Sequence, residues 1–261
     1  MSIENNYSDR NVEKEHVDTK VCIIIPTYNN SKTLAKVIDS VSIYSTHIYV
    51  VNDGSTDNTS EILNDYHSKV SIINIEKNRG KGNALKQGFK RAYQDGYDYA
   101  ISIDSDDQHD AKYIPMFYNG IAKNPHSIII GSRNLSQENK PTKNTFANKF
   151  SNFWFNLQTL SKVKDTQSGY RAYPLKKISK MKLITTRYEC ELEILVRMAW
   201  KNTKIIEIPI EAYYAPKEER VTHFRNVDFL RISLMNTLLT ILALTYGYWS
   251  MLILKIFKHN G

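Results

Sequence analysis

The segment AISIDSDDQHD, residues 100–110, sets four aspartates, a glutamine and a histidine directly behind a short apolar run. Like charges at that density repel one another unless a counter-ion stands among them. Asp104 and Asp106, two apart in a turn, can face one cation, and Gln108 adds a carbonyl oxygen. Oxygen ligands of this kind suit Mg2+ or Mn2+ bound jointly with a diphosphate. An EF-hand calcium loop also begins Asp-x-Asp, yet its sixth position is here His109 rather than glycine and its twelfth is Pro115 rather than glutamate. Asp107 and Asp110 receive no role from spacing.

Two further loops carry chemistry. NRGKGNALKQG, residues 78–88, places Arg79 and Lys81 beside two glycines at a helix start, where backbone N–H groups favour an anion. It lacks the GKS/T ending of a Walker loop and the third glycine of a dinucleotide fingerprint, so a phosphate-neighbouring loop is the expectation. In NDGSTDNTS, residues 52–60, Asp53 follows a strand and precedes a helix that Ser55 or Asp57 can cap. An Asx turn or a cap satisfies that pattern equally well.

Positioning these loops requires a scaffold, and the pattern of the front half supplies one. Short β-rich runs at 21–26, 47–52, 70–76, 99–104 and 127–131 alternate with helical patterns near 31–44, 57–68, 80–94 and 111–123. Such alternation predicts an α/β fold with a mostly parallel sheet flanked by helices. Ligands of open sheets bind beyond the carboxyl ends of the strands. PTYNNS, NDGSTDNTS, NRGKGN, DSDDQHD and GSRN all fall there, so five strand ends converge on one site. Beyond residue 131 come a basic, aromatic helix candidate (145–160), the loop KDTQSGYRAYP, an acidic helix YECELEILVRMAW (188–200) and a strand KIIEIPI (204–210).

The totals bound the rest. The 261 residues suffice for one large domain with a core that needs no disulfides, and Cys22 and Cys190 match no metal-ligand spacing, so both read as reduced and structural. The first 130 residues carry net charge −3 and the remainder +11, which favours anionic partners for the back half. No nucleic-acid-binding motif accompanies that charge, so nucleic acid is not an expected partner. Residues 1–20 are polar and read as a disordered lead. Residues 232–254 run uncharged between Arg231 and Lys255, long enough at about 1.5 Å per residue to cross a hydrocarbon core of about 30 Å. Asn236, Thr237, Thr240, Thr245 and Ser250 weaken a spanning assignment, and Gly247 can divide the segment into two interfacial helices. The expected division is a lead (1–20), a catalytic domain (21–226) and a membrane-associated helix or helical hairpin (227–261).

PTYN, NDGS, NRGKGNA, DSDDQH, GSR and SGYR, found in this order, make the chain resemble glycosyltransferase family 2 of the GT-A fold, over roughly residues 21–214. Within it the chain is most similar to the polyprenyl-phosphate hexose synthases, the dolichyl-phosphate mannose and glucose synthase group. The resemblance implies an inverting transfer from a UDP- or GDP-linked sugar to a membrane lipid acceptor, a polyprenyl phosphate, at the cytoplasmic face of a membrane. Transfer to a lipid or polysaccharide hydroxyl, and a non-catalytic nucleotide-sugar-binding protein, are the alternatives.

The same resemblance implies roles. Pro26, Tyr28 and Asp53 surround the nucleotide base and ribose, Arg79 and Lys81 approach the diphosphate, and Asp104, Asp106 and Gln108 hold Mg2+ or Mn2+. Arg133, Lys149, Ser168 and Arg171 lie around an acceptor phosphate. A phosphate acceptor is already anionic, whereas a hydroxyl acceptor needs a base. Asp165 is the candidate base or orienting group, with Glu191 and Glu193 weaker candidates. Two departures concern the acceptor: Asp110-Ala111 stands where that group carries Pro-Pro, and EERVTHFRNVDF replaces its Arg-x-x-Gly-x-Ser-Lys-type motif. Arg220, His223 and Arg225 can still meet a phosphate or headgroup there.

Overall fold

The computed structural model describes residues 19–133, 142–213 and 226–259. The lead up to residue 18, and Arg220, His223 and Arg225, lie outside the described residues.

Seven strands form one sheet: β1 (Val21–Thr27), β2 (Ile48–Asp53), β3 (Ser71–Ile75), β4 (Tyr99–Ser102), β5 (Ile128–Arg133), β6 (Arg171–Pro174) and β7 (Ile205–Ile210), in the order β3-β2-β1-β4-β6-β5-β7. β1, β2 and β4 are almost wholly buried, as expected for strands covered on both faces. The helices are α1 (Leu34–Ser42), α2 (Thr59–Asp65), α3 (Lys81–Gln94), α4 (Ile114–Lys123), α5 (Thr142–Thr159), α6 (Leu175–Ile178), α7 (Glu189–Trp200), α8 (Asn226–Leu242) and α9 (Tyr248–His259). In α1 the buried residues Leu34, Val37, Ile38 and Val41 recur at the helical period, which turns one stripe onto the sheet. One apolar layer gathers α1 and α4 side chains with Ile23, Ile25 and Ile101. The other gathers Phe89, Phe155, Leu195 and Trp200 with Cys22, Ile24 and Val51. Both cysteines are free and buried.

Every strand runs in one direction except β6, which pairs antiparallel with β4 and β5. The sequence pattern did not announce β6: RAYP is four residues long and ends in proline, too short to display a period. Its insertion leaves β4 and β5 pointing the same way, so the predicted strand ends still share an edge. The register Ser102↔Arg171 brings the SGYR loop opposite the aspartates that follow β4.

The tail is one helical run rather than a hairpin. A π-helical segment, Ala243–Gly247, joins α8 to α9 without reversing the chain. Gly247 therefore does not divide the segment as its sequence suggested.

Candidate active site

The loops at the carboxyl edge are tied to each other by side chains. Asn29 N–H donates to Ser55 Oγ (3.0 Å) and Asn29 Oδ1 accepts from Thr56 N–H (2.7 Å), joining the loops after β1 and β2. Asp57 bridges the same two loops, accepting from Ser31 N–H (3.1 Å) and closing an Asx turn on Thr59 N–H (3.0 Å). Ser105 joins the first loop to the aspartate loop: its Oγ donates to Pro26 O (3.1 Å) and accepts from Asn30 Nδ2 (2.7 Å). On the far side the segment after β7 holds the same turn, since Tyr213 N–H donates to Gln108 O (2.9 Å).

Within DSDDQHD the residues divide by task. Asp107 adopts φ +62° and pairs with Lys36 (2.5 Å). Asp110 caps the 3-10 turn before α4 by accepting from Lys112 N–H (2.9 Å). The two aspartates left without a role by spacing are thus structural. His109 is buried against Tyr170, ring centroids 5.4 Å apart; burial lowers its pKa to about 4, so it sits neutral.

Asp104 and Asp106 remain. Asp104 Oδ1 lies 2.7 Å from Lys81 Nζ, which also lies 2.9 Å from Glu191 Oε2. Lys81 opens α3, where the helix dipole disfavours a cation, and two carboxylates hold it there. Burial opposes its charge, but Asp104 and Glu191 raise its pKa above the ordinary lysine range. For Asp104 burial acts upward, and the Lys81 ammonium overrides it to hold the carboxyl below the usual range. Asp106 is pushed up to about 6, by burial first and the Asp104 charge second. Its Oδ1 accepts from Gln108 N–H (3.1 Å).

Gly169 makes this cluster possible. A Cβ on it would stand 2.4 Å from Asp104 Oδ2 and 2.6 Å from Lys81 Nζ, so any side chain would eject one of them. Ser102 Oγ donates to Gly169 O (2.7 Å) and fixes the backbone there. Neither residue was singled out from sequence, although the glycine of SGYR was available as a signal.

Asp53, Arg79 and Pro26, expected around the donor, lie at the neighbouring strand ends. Asp53 is buried and accepts from the N–H groups of Arg79 (3.0 Å) and Gly80 (2.6 Å), so its carboxylate shapes the loop that presents Arg79 and Lys81. Arg79 itself is exposed, Tyr28 is half-buried, and Pro26 is buried within β1.

The acceptor-side expectations need correction. Asp165 is fully buried and saturated: Arg133 meets it bidentately (Nε–Oδ2 2.6 Å, Nη2–Oδ1 2.9 Å), Asn148 Nδ2 donates to it (2.6 Å), and Ser168 N–H adds a fourth contact (3.1 Å). Burial would raise its pKa, but the Arg133 hydrogen bond and charge hold it below the ordinary carboxylate range. A carboxylate so engaged is a poor base. Arg171 is likewise no phosphate ligand in this structure. It is 1% exposed and donates to the carbonyls of Ser168 (2.6 Å), Thr166 (2.7 Å) and Glu191 (3.0 Å), stitching the SGYR loop to α7. Ser168 is buried in the same loop, and Lys149 is exposed on α5. Glu193 accepts from Ile184 and Thr185 N–H and pairs with Arg197 (2.6 Å), which removes it as a base. Glu191 alone of the α7 pair reaches the site.

A mostly parallel α/β sheet whose carboxyl edge gathers a carboxylate pair, a lysine and a phosphate-suited helix start defines the GT-A architecture of nucleotide-sugar transferases. Comparison with known proteins agrees. The chain matches glycosyl transferase family 2 over residues 22–181, and it belongs to that family. It is 30% identical to a UDP-N-acetylglucosamine–dolichyl-phosphate N-acetylglucosaminyltransferase of Methanococcus voltae, covering 76% of this chain and 87% of that one. It is also 30% identical to a dolichol-phosphate mannosyltransferase of Pyrococcus furiosus, covering 73% and 55%. In fold it resembles glucosyl-3-phosphoglycerate synthase from Mycobacterium tuberculosis, solved with Mn2+, UDP and glucosyl-3-phosphoglycerate (TM-score 0.60, 17% identity, 88% of this chain and 80% of that one). The chain is a glycosyltransferase with polyprenyl-phosphate sugar transferases among its relatives.

Proposed function

We propose that the protein transfers a sugar, with inversion, from a UDP- or GDP-linked donor to a polyprenyl phosphate, using Mg2+ or Mn2+. The observation that carries the reading is the pairing of Asp104 with the Lys81 ammonium beside a second carboxylate, Asp106, that the Asp104 charge disfavours. Burial first and the Asp104 charge second push Asp106 to about 6, and Lys81 Nζ stands against Asp104 as the cation, so the pair forms a site suited to positive charge. Asp104, Asp106 and Gln108 would hold the ion. Among the described residues no cluster of three or more His, Cys, Asp or Glu is preassembled for a metal. That fits an ion whose remaining ligands are water and donor phosphates. When bound, the metal neutralises the departing nucleoside diphosphate.

The chain's own residues do the rest. Pro26, Tyr28 and the loop fixed by Asp53 flank the nucleoside, and Arg79 at the start of α3 meets the diphosphate. Lys81 moves its charge between Asp104 and the phosphates. Arg133 ends β5 with its guanidinium held by Asp165, and we assign Lys149, Arg220 and Arg225 as the further cations for the acceptor phosphate. The phosphate acceptor is favoured over a hydroxyl by the loss of candidate bases: Asp165 and Glu193 are both consumed in hydrogen bonds, and Glu191 is paired with Lys81. An anionic acceptor needs little base assistance. The protein names of the relatives from Methanococcus voltae and Pyrococcus furiosus support the same acceptor class. The apolar tail supports attachment to a membrane, and we assign the cytoplasmic face.

Membranes bearing the protein, incubated with radiolabelled UDP- and GDP-sugars and Mn2+ or Mg2+, should yield a labelled lipid that mild acid cleaves. An acid-stable lipid product would replace the phosphate acceptor with a hydroxyl. Full turnover in chelator would overturn the metal.

A further inference from the structure

The apolar tail is not free of the rest of the molecule. Val227–Ile256 is 30 residues of helix, with mean hydropathy 1.6 over an 18-residue window within it, and is about 45 Å long at 1.5 Å per residue. Met235, Leu239, Ala243, Gly247 and Met251 are buried at a spacing of four, one stripe down one side. That stripe is clamped along its length. Gln158 Nε2 donates to Asn236 O (3.0 Å) and Oδ1 (3.2 Å) and to Thr240 Oγ1 (3.2 Å). Gly247 admits the Trp200 indole, which a Cβ would meet at 2.5 Å. Ser250 Oγ donates to Trp200 O (3.2 Å) and Asn202 Nδ2 to Met251 O (3.4 Å).

The opposite side is uncovered and apolar. Leu234, Ile241, Leu244 and Trp249 are each 54–62% exposed. Beside them on α5 and the turn after it, Phe153 (59%) and Leu160 (74%) continue the same surface; Phe150 of α5 stacks near Phe229 of α8. Positive charge rims this surface: Arg231 and Lys255 on the helix, with Lys162 and Lys164 just beyond Leu160. No acidic residue occurs from 229 to 256. An apolar face with exposed cations at both ends of its helix, where the helix's own acid, Asp228, is buried, matches an anionic lipid surface in both respects.

A helix able to span by length usually does so by leaving the soluble domain behind. Here both ends of the run are attached to the domain, at Phe150 near the start and at Trp200 and Asn202 near the end. Standing across a bilayer would uncover Phe155 and Trp200 and break the Gln158 hydrogen bonds inside hydrocarbon, where unsatisfied polar groups are costly. We propose that α8 and α9 form a monotopic anchor: the run stays docked on α5 and α7 and immerses its outward face, with Phe153 and Leu160, in one leaflet of an anionic membrane without crossing it. The inference rests on the membrane attachment proposed above and specifies its geometry.

The test uses the full chain with an epitope tag at its C-terminus. In sealed vesicles that carry the catalytic domain outside, protease should remove the tag and the domain together. A tag protected until detergent is added means a crossing helix and overturns the in-plane geometry while leaving attachment intact. Leu234→Ser/Ile241→Ser/Trp249→Ser, at positions whose side chains face outward, should lower sedimentation with phosphatidylglycerol-containing vesicles at least tenfold with an unchanged circular dichroism melt. Removal of residues 232–261 is unsuitable because it strips the core. If the triple variant sediments like wild type, the face is not the lipid contact. If wild type does not sediment and the variant instead converts a dimer to a monomer, a second copy covers the face and membrane attachment itself fails.

Discussion

Two acidic loops sit at the same edge of the sheet, and their carboxylates are handled in opposite ways. Asp165 is surrounded by as many donors as its oxygens can accept: a bidentate arginine, an asparagine and backbone amides, every one within 3.2 Å. Asp104 shares one lysine with Glu191, and Asp106, which accepts from the Gln108 amide, is crowded against Asp104 with no ion pair of its own among the described residues. Saturation marks a carboxylate that holds the fold, and crowding without enough cation marks one that awaits a ligand. Residue type and loop position do not separate the two, whereas the count of donors does.

The contrast breaks most sharply on activity. Asp106→Asn should reduce sugar transfer roughly 10³-fold, since losing a carboxylate of the proposed metal site removes several kcal/mol from charge stabilisation. Its melting temperature should not fall, because the substitution relieves repulsion with Asp104. Activity is read by labelled lipid product and stability by calorimetry. A variant that loses activity only by unfolding would erase the distinction.

Asp165→Ala should behave the other way. It leaves the Arg133 guanidinium without its buried partner and strips Asn148 and three amides of an acceptor. Breaking a buried pair costs about 3–5 kcal/mol, which for a chain of this size lowers the melting temperature by roughly 10 °C. A stable Asp165→Ala protein that lacks only turnover would return Asp165 to the role of base.

The sequence made one of these loops legible and disguised the other, for a physical reason. Asp104 and Asp106 are neighbours in the chain, so their mutual repulsion can be read from spacing alone. The partners of Asp165 are 17 and 32 residues away, at Asn148 and Arg133, and nothing in KDTQSGYR records them. Arg171 misleads similarly: a guanidinium in a motif suggests an anion, but its donors go to backbone carbonyls, which have no sequence signature. Glu191 and Glu193 stand two apart, about 200° around a helix, so one reaches Lys81 and the other the 184–185 backbone. The strands and helices up to β5 are legible because each shows a full period or a long apolar run. β6 is too short to show either.

Lys81 offers the finest test, because it is the cation paired with Asp104. An ammonium 2.7 Å from Asp104 occupies the place of positive charge that a divalent ion would take, so the two compete for the same carboxylate. At an effective dielectric of about 20, a unit charge near 4 Å contributes about 4 kcal/mol, partly offset by the penalty of leaving Glu191 without its partner. Lys81→Met should therefore tighten Mn2+ binding to the donor-free protein, by at least about tenfold if 1.4 kcal/mol of that survives, as measured by isothermal titration calorimetry. The same substitution at Lys86, whose ammonium instead meets Thr185 O (2.8 Å), should leave Mn2+ affinity unchanged. Equal affinity in wild type and Lys81→Met would mean that the lysine and the ion do not share Asp104, and the crowding would then need another account.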